Sequence, residues 1–382
     1  MVFPFLIVKL VWQNLNQGHN PVTMSYKAHI TCLTFSLAFG SMLFCPSAHS
    51  QTKPAPAPSP YNFDAADQLF KTNQKAMGPN FVMLVSKDGK VVYQKQGGTD
   101  FTAKTAAPIA GAGNWLTAAL VMTFVDEGKL SLDDKVTQYI PLFGKYMKGY
   151  ITIRNCLTNT TGIRPDAEGM MKVLQKGKFE SLEDEVNNYA TKHPIVTNPG
   201  TEFVYSSIGP NIAARVLEVI TKKGFDRLMS ERILRPLKMR GTSFSNEDGG
   251  AVNPAGGARS TANDYISFLE MLLNKGVSGD KRILSEKAVE EMEKVQFAGL
   301  PVKSAPLVLL KAHYALGAYI TETNAAGASV MISPNMLGTT AFMDKCRNYA
   351  AILIVEKPEE EKKNLWQNLK NLLDEQLGSG CQ

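Results

Sequence analysis

The chain has 382 residues, 44% hydrophobic and 20% charged, a composition that supplies a sizeable core and excludes a low-complexity or disordered protein. The formal charge is +6, but lysine and arginine form no stripe, which excludes a nucleic-acid footprint. One large domain or two intimately packed lobes would fit the length.

The first fifty residues carry Lys9 and Lys27 and no acid. From Met24, a short stretch with Lys27 leads into an apolar run from Ile30 to Phe44, and Ala48-His49-Ser50 offers a small-x-small cleavage site before Gln51. Residues 24–50 are therefore expected to be a signal peptide and the protein to be exported, periplasmic or secreted. Residues 1–23 fit this pattern poorly and are expected to be an extension upstream of a true start at Met24. The apolar run is too short and interrupted for a membrane span, so no integral membrane segment is expected after cleavage. Residues 51–60 contain KPAPAPSP, an extended tether, and the folded body should occupy 61–382. Past the cleavage site remain Cys156, Cys346 and Cys381, an odd and widely spaced set that reads as neither a disulfide framework nor a zinc site. No metal or organic cofactor is implied.

In chain order, Phe63 to Met77 has helical spacing. Phe81 to Val85 and Val91 to Tyr93 read as strands joined by Asp88-Gly89, a hairpin signal. Leu116, Ala119, Leu120, Thr123 and Phe124 recur at three- and four-residue steps, predicting a helix that Asn114 can cap and Gly128 can end. Lys129 to Asp134 is a turn into a short amphipathic run ending at Pro141. Helices are predicted from Pro210 to Lys222 and through Leu273. Strands are predicted at Tyr314 to Ile320, Ala328 to Ile332, Thr339 to Met343 and Tyr349 to Val355. After Pro358 comes a helix with Leu365, Leu369, Leu372, Leu373 and Leu377 on one face.

Several segments together carry a family resemblance: Thr117-Ala118-Ala119, Glu127-Gly128-Lys129-Leu130, Leu132-Asp133-Asp134, Leu157 to Ile163, Pro199 to Ser207, Pro236 to Phe244 and Gly256 to Asp264. The chain resembles the serine β-lactamase and penicillin-binding protein family, in its class C-like and esterase branch, over roughly residues 60 to 380. The resemblance implies an α+β fold of the β-lactamase/DD-peptidase type. Its antiparallel sheet, flanked by helices, would be built from about 61–105 and 310–382, and an all-helical lobe from about 106–309.

The family places a serine nucleophile at the first turn of its helix, where the helix N-terminus favours developing negative charge. A lysine one turn later lies on the same face and can take the hydroxyl proton. Counting back from Thr117-Ala118-Ala119, those positions fall on Gly111 and Asn114, neither of which can do this chemistry. The family's Tyr-x-Asn motif becomes Tyr205-Ser206-Ser207, and its His-x-Gly or Lys-x-Gly triplet becomes Ile332-Ser333-Pro334 or, one register on, Ser333-Pro334-Asn335. Neither triplet offers a cation or a glycine, and Pro334 lacks the N–H an oxyanion hole would use. In the Leu157 to Ile163 segment Asn159 stands for a histidine and Thr161 for a serine. Trp115, Asn159, Ser206, Ser333 and Asn335 are expected to line the cleft.

Two Ser-x-x-Lys matches, Ser50 to Lys53 and Ser278 to Lys281, lack the helix start that activation needs. The histidines, His19, His29, His49, His193 and His313, give no support for a Ser-His-Asp triad. The leading expectation is an exported, catalytically degenerate protein whose cleft, opened at its floor by Gly111, binds a peptidoglycan-like peptide, a small ester or amide, or a protein partner. The alternative is a serine-hydrolase-type enzyme working weakly through Tyr205 or a neighbouring serine. A third reading has Trp115 filling the old site.

Overall fold

The structure is a computed structural model, and it describes residues 60–165, 179–244, 249–306, 309, 311–334, 338–356 and 365–379. Pro58–Gln382 forms a compact unit of its own. The expected signal peptide and nearly all of the tether lie outside the described residues, as does Asn335. No helix among the described residues is long and apolar enough to cross a membrane.

A seven-stranded antiparallel sheet organises the body. From one edge its strands are Lys90–Gly97, Phe81–Lys87, Tyr349–Val355, Thr340–Asp344, Gly327–Ile332, Tyr319–Asn324 and His313–Tyr314. First and last strands meet in register, Phe81 opposite Val355 and Val85 opposite Ala351. The hairpin between the first two strands turns at Asp88 and Gly89, both at positive φ (51° and 72°), the geometry of a two-residue turn that follows strand twist. The predicted strand 314–320 is instead two short strands. Gly317 (φ 81°) breaks it, because a Cβ there would stand 2.6 Å from the carbonyl oxygen of Asn114.

Both faces of the sheet are covered, which is why Tyr349–Val355 is buried along its whole length. Val82, Leu84, Ile352 and Ile354 face the helical side, with Trp115, Leu116 and Phe268. Met83, Val85, Ala351 and Leu353 face the terminal helices Asp64–Met77 and Leu365–Gln376 through Phe70, Trp366, Leu369 and Leu373. At about 25 cal/mol per Å² of apolar surface, this two-sided burial is the main favourable contribution to folding.

The central helix, Gly113–Asp126, is buried at every residue from Gly113 to Phe124. A helix apolar all round belongs inside a fold rather than on its surface. Asn114 does not cap it: a 3-10 turn, Ala110–Ala112, runs straight into the helix, and no side chain caps its start. Gly128, at φ 66°, does end it, with its N–H on the Val125 carbonyl at 3.0 Å.

Cys346 is disulfide-bonded, with its partner outside the described residues, whereas Cys156 is free and buried. The expectation of no disulfide is thereby corrected. The Arg347 Nε to Gly378 carbonyl bond, 3.0 Å, shows the chain end folded back beside the 345–348 turn, a proximity that spacing in the sequence does not reveal.

Candidate functional site

The start of the central helix is fixed from three sides. Ala107–Pro108 pairs with Arg259–Ser260, the Ile109 N–H donates to the Ala258 carbonyl at 3.0 Å, and the Tyr265 hydroxyl donates to the Ala112 carbonyl at 2.9 Å. Thr339 adds a bond from its hydroxyl to the Pro108 carbonyl, 3.1 Å, tying this start to the sheet. Ala110, immediately before the nucleophile position, is left-handed at φ 44°. Such a conformation costs a non-glycine residue ~1–3 kcal/mol and persists only where its surroundings enforce it.

Four of the expected site residues come together here: Gly111, Asn114, Tyr205 and Pro334. A Cβ built on Gly111 would lie 2.4 Å from Pro334 Cγ and 2.6 Å from the Tyr205 hydroxyl. The space a serine side chain would need is already occupied. The expectation that glycine opens the cleft floor is therefore corrected: Pro334 closes down on it from the end of the strand Gly327–Ile332. Ser333 holds Pro334 in place, since its N–H donates to the Ala341 carbonyl (2.8 Å) and its Oγ accepts from the Ala341 N–H (3.0 Å). The neighbouring Ile332 is wholly buried and pairs with Phe342.

Asn114 Nδ2 donates to the Tyr205 hydroxyl at 2.7 Å, with both residues buried, and Asn114 Oδ1 has no hydrogen-bond partner. Burial pushes the Tyr205 phenol well above its ordinary range, the Asn114 bond opposing this only in part. Among the described residues no cation acts on this hydroxyl, and burial favours the neutral phenol.

Asn159 organises the loop before Tyr205. It is left-handed (φ 55°), a conformation asparagine tolerates, its Oδ1 accepts the Ser206 N–H at 3.1 Å, and its Nδ2 donates to the Tyr314 hydroxyl at 3.1 Å. Its carbonyl accepts the Val204 N–H at 2.9 Å. Ser206 is buried, while Ser207 is half-buried and lies near Tyr189, whose hydroxyl donates to Glu185. Trp115 does not fill the old site: its indole packs edge-on to Phe268, 6.1 Å between centroids, in the core on the helical side.

Tyr314 and Tyr319, expected only as strand residues, also belong to this cluster. Tyr319 packs on Tyr314 (4.7 Å between centroids) and on Tyr205 (6.1 Å), and its buried hydroxyl has no partner. The sequence signal was only two tyrosines within one predicted strand run, Tyr314 to Ile320. Among the described residues the arrangement is a buried plug of phenols, amides and a proline, able to accept or donate single hydrogen bonds. No group of His, Cys, Asp or Glu suited to a metal occurs among the described residues.

The comparisons agree with this architecture. The chain resembles a β-lactamase-like protein from Bacteroides dorei, with 29% identity, a TM-score of 0.73 and coverage of 83% of this chain and 99% of that one. It shares the fold of the octameric penicillin-binding protein homologue from Pyrococcus abyssi, with 19% identity, a TM-score of 0.67, and 82% and 77% coverage. It is 28% identical over 201 residues to the N-acetylmuramyl-L-alanine amidase of Bacillus subtilis, a match covering 47% of this chain and 45% of the amidase. The chain spans less than half the length of the curated relatives it matches. With the Beta-lactamase family model matching residues 66–373, most of the chain, on a fold of the kind the resemblance implies, the chain belongs to the Beta-lactamase family.

Proposed function

We propose that this protein is an exported, non-acylating member of its family that binds a peptidoglycan-like peptide without turning it over. The single observation that carries the reading is the occupied nucleophile position: Gly111 in place of a serine, with Pro334 and the Tyr205 hydroxyl in the space a side chain would need. An acyl-enzyme needs an oxygen or sulfur nucleophile and a base within hydrogen-bond reach. Asn114 supplies no base, and Pro334 supplies no N–H to an oxyanion.

Export is supported by the apolar run from Ile30 to Phe44 and by the disulfide at Cys346, since disulfides persist in oxidising compartments. The choice of a cell-wall peptide rests on the amidase relative and on the penicillin-binding protein fold. A small ester or amide seated at the nucleophile position is disfavoured by the plug, which leaves a ligand held across the rim.

The test is intact-mass analysis after incubation with a penicillin and, separately, with a fluorophosphonate, alongside calorimetric titration with muropeptides. The expected outcome is no covalent adduct and saturable muropeptide binding. A stoichiometric adduct would overturn the reading in favour of a hydrolase using Tyr205 or a nearby serine, and absence of muropeptide binding would remove the ligand assignment.

A further inference from the structure

Among the described residues seven large hydrophobic side chains are exposed, and three of them, Tyr146, Met147 and Tyr150, fall within five residues of one loop. Met147 is 83% and Tyr150 77% exposed, values that isolated surface side chains of this size seldom reach together. The loop is held out by its own backbone. Phe143 is buried beneath it, its carbonyl accepts the Lys148 N–H at 2.9 Å, and Met147 adopts a left-handed turn at φ 62°. Lys148 Nζ donates to the Ala190 carbonyl at 2.6 Å, anchoring the loop to the end of the helix Leu182–Thr191.

Exposed cations flank the apolar tip. Lys135 Nζ stands over the Tyr150 ring, 5.4 Å from its centroid, and Lys145 precedes the loop, while Lys148, 5.9 Å from the Tyr146 ring, is buried and serves as the anchor. The neighbouring carboxylates are engaged: Asp133 with Arg154, and Asp134 with the Ser131 N–H and the Tyr139 hydroxyl. Exposed aromatics and a thioether at one loop tip, flanked by the exposed Lys135 and Lys145, match the chemistry of a bilayer interface. Tyrosine rings sit at headgroup level there, and lysines meet anionic headgroups. From this charge complementarity we infer that the 145–150 loop docks the protein on an anionic phospholipid surface.

The inference is independent of the peptide-binding reading. It is tested with the compact unit beginning at Pro58, which omits the apolar N-terminal run, by cosedimentation with vesicles of phosphatidylglycerol and phosphatidylcholine and with pure phosphatidylcholine. The expected result is binding to the anionic vesicles. It should weaken about tenfold in Tyr146→Ser/Met147→Ser/Tyr150→Ser, and by a similar factor in Lys135→Glu/Lys145→Glu, both surface changes. Unchanged thermal melting would show that these variants fold. Equal binding by the parent and the triple variant, or none by the parent, would overturn the inference. Loop-dependent binding to purified sacculi without vesicle binding would also overturn it, assigning the tyrosines to glycan instead.

Discussion

The amide of Asn114 and the hydroxyl of Tyr205, 91 positions apart in the chain, meet at 2.7 Å in a fully buried contact. They stand where the family would place its lysine and its proton-relaying tyrosine, and here they satisfy each other. In Tyr205→Phe, Asn114 Nδ2 loses its acceptor while Oδ1 already lacks a donor, so unfolding free energy should fall by ~1–3 kcal/mol. A double-mutant cycle with Asn114→Leu, followed by urea denaturation, should return a coupling of ~0.5–3 kcal/mol. Additive effects would show that the contact contributes nothing of its own.

Restoring the serine alone should fail twice. Gly111→Ser places Cβ against Pro334 and Tyr205, so it should cost ~1–3 kcal/mol by overpacking, and the variant should still give no penicillin adduct. Adding Pro334→Gly should recover part of the lost melting temperature. A Gly111→Ser protein as stable as the parent would mean that the plug yields easily.

Lys370 is almost fully buried on the C-terminal helix, with Nζ 2.6 Å from Asp374, 2.9 Å from Glu322 and 3.6 Å from Asp344. Arg347 still pairs with Asp344 (2.8 Å) and Asp374 (3.4 Å) when Lys370 is removed, so Lys370→Met should lower stability by more than the ~1 kcal/mol of an exposed pair and less than the ~3–5 kcal/mol of a fully buried one, read from the denaturation midpoint. Lys95→Met, whose partner Asp67 is exposed, should change stability by less than ~1 kcal/mol.

Burial raises the Glu293 carboxyl above its ordinary range, and Glu290 adds to this, while Lys345 pulls the other way. A carboxyl with a raised folded pKa binds more protons folded than unfolded, so its contribution to stability falls as pH rises from the ordinary glutamate value through the raised one. Glu293→Gln, which cannot titrate, should therefore gain relative to the parent across that window. Urea melts of both proteins from pH 4 to 7 would read this, and a difference that does not change with pH would contradict it.

Much of the fold could be read from the residues. The Asp88-Gly89 turn, the strand runs and the stop at Gly128 are local signals, and each element formed where its own chemistry placed it. That Gly111, Asn114 and Tyr205 would lie together was also legible, because Gly111 and Asn114 sit in a frame of matching neighbours. What escaped was long-range. Asn114 looked like a helix cap because nothing nearby in sequence competes for its amide; its partner comes from another part of the chain. The closing of the site by Pro334, the break at Gly317 and the fold-back of the chain end beside Cys346 likewise depend on segments that meet only in the folded molecule.

On the non-acylating reading, the contact between Pro334 and Gly111 would make a loss of serine directional in descent. A one-codon return to serine meets a ring already in its place, so that reversion is penalised before any chemistry could reward it. Recovery would have to begin at Pro334, a step that alone brings no nucleophile. On the non-acylating reading proposed above, the proline would work as a ratchet, holding the site as it is against a serine at position 111 while the left-handed backbone at Ala110 stays in place.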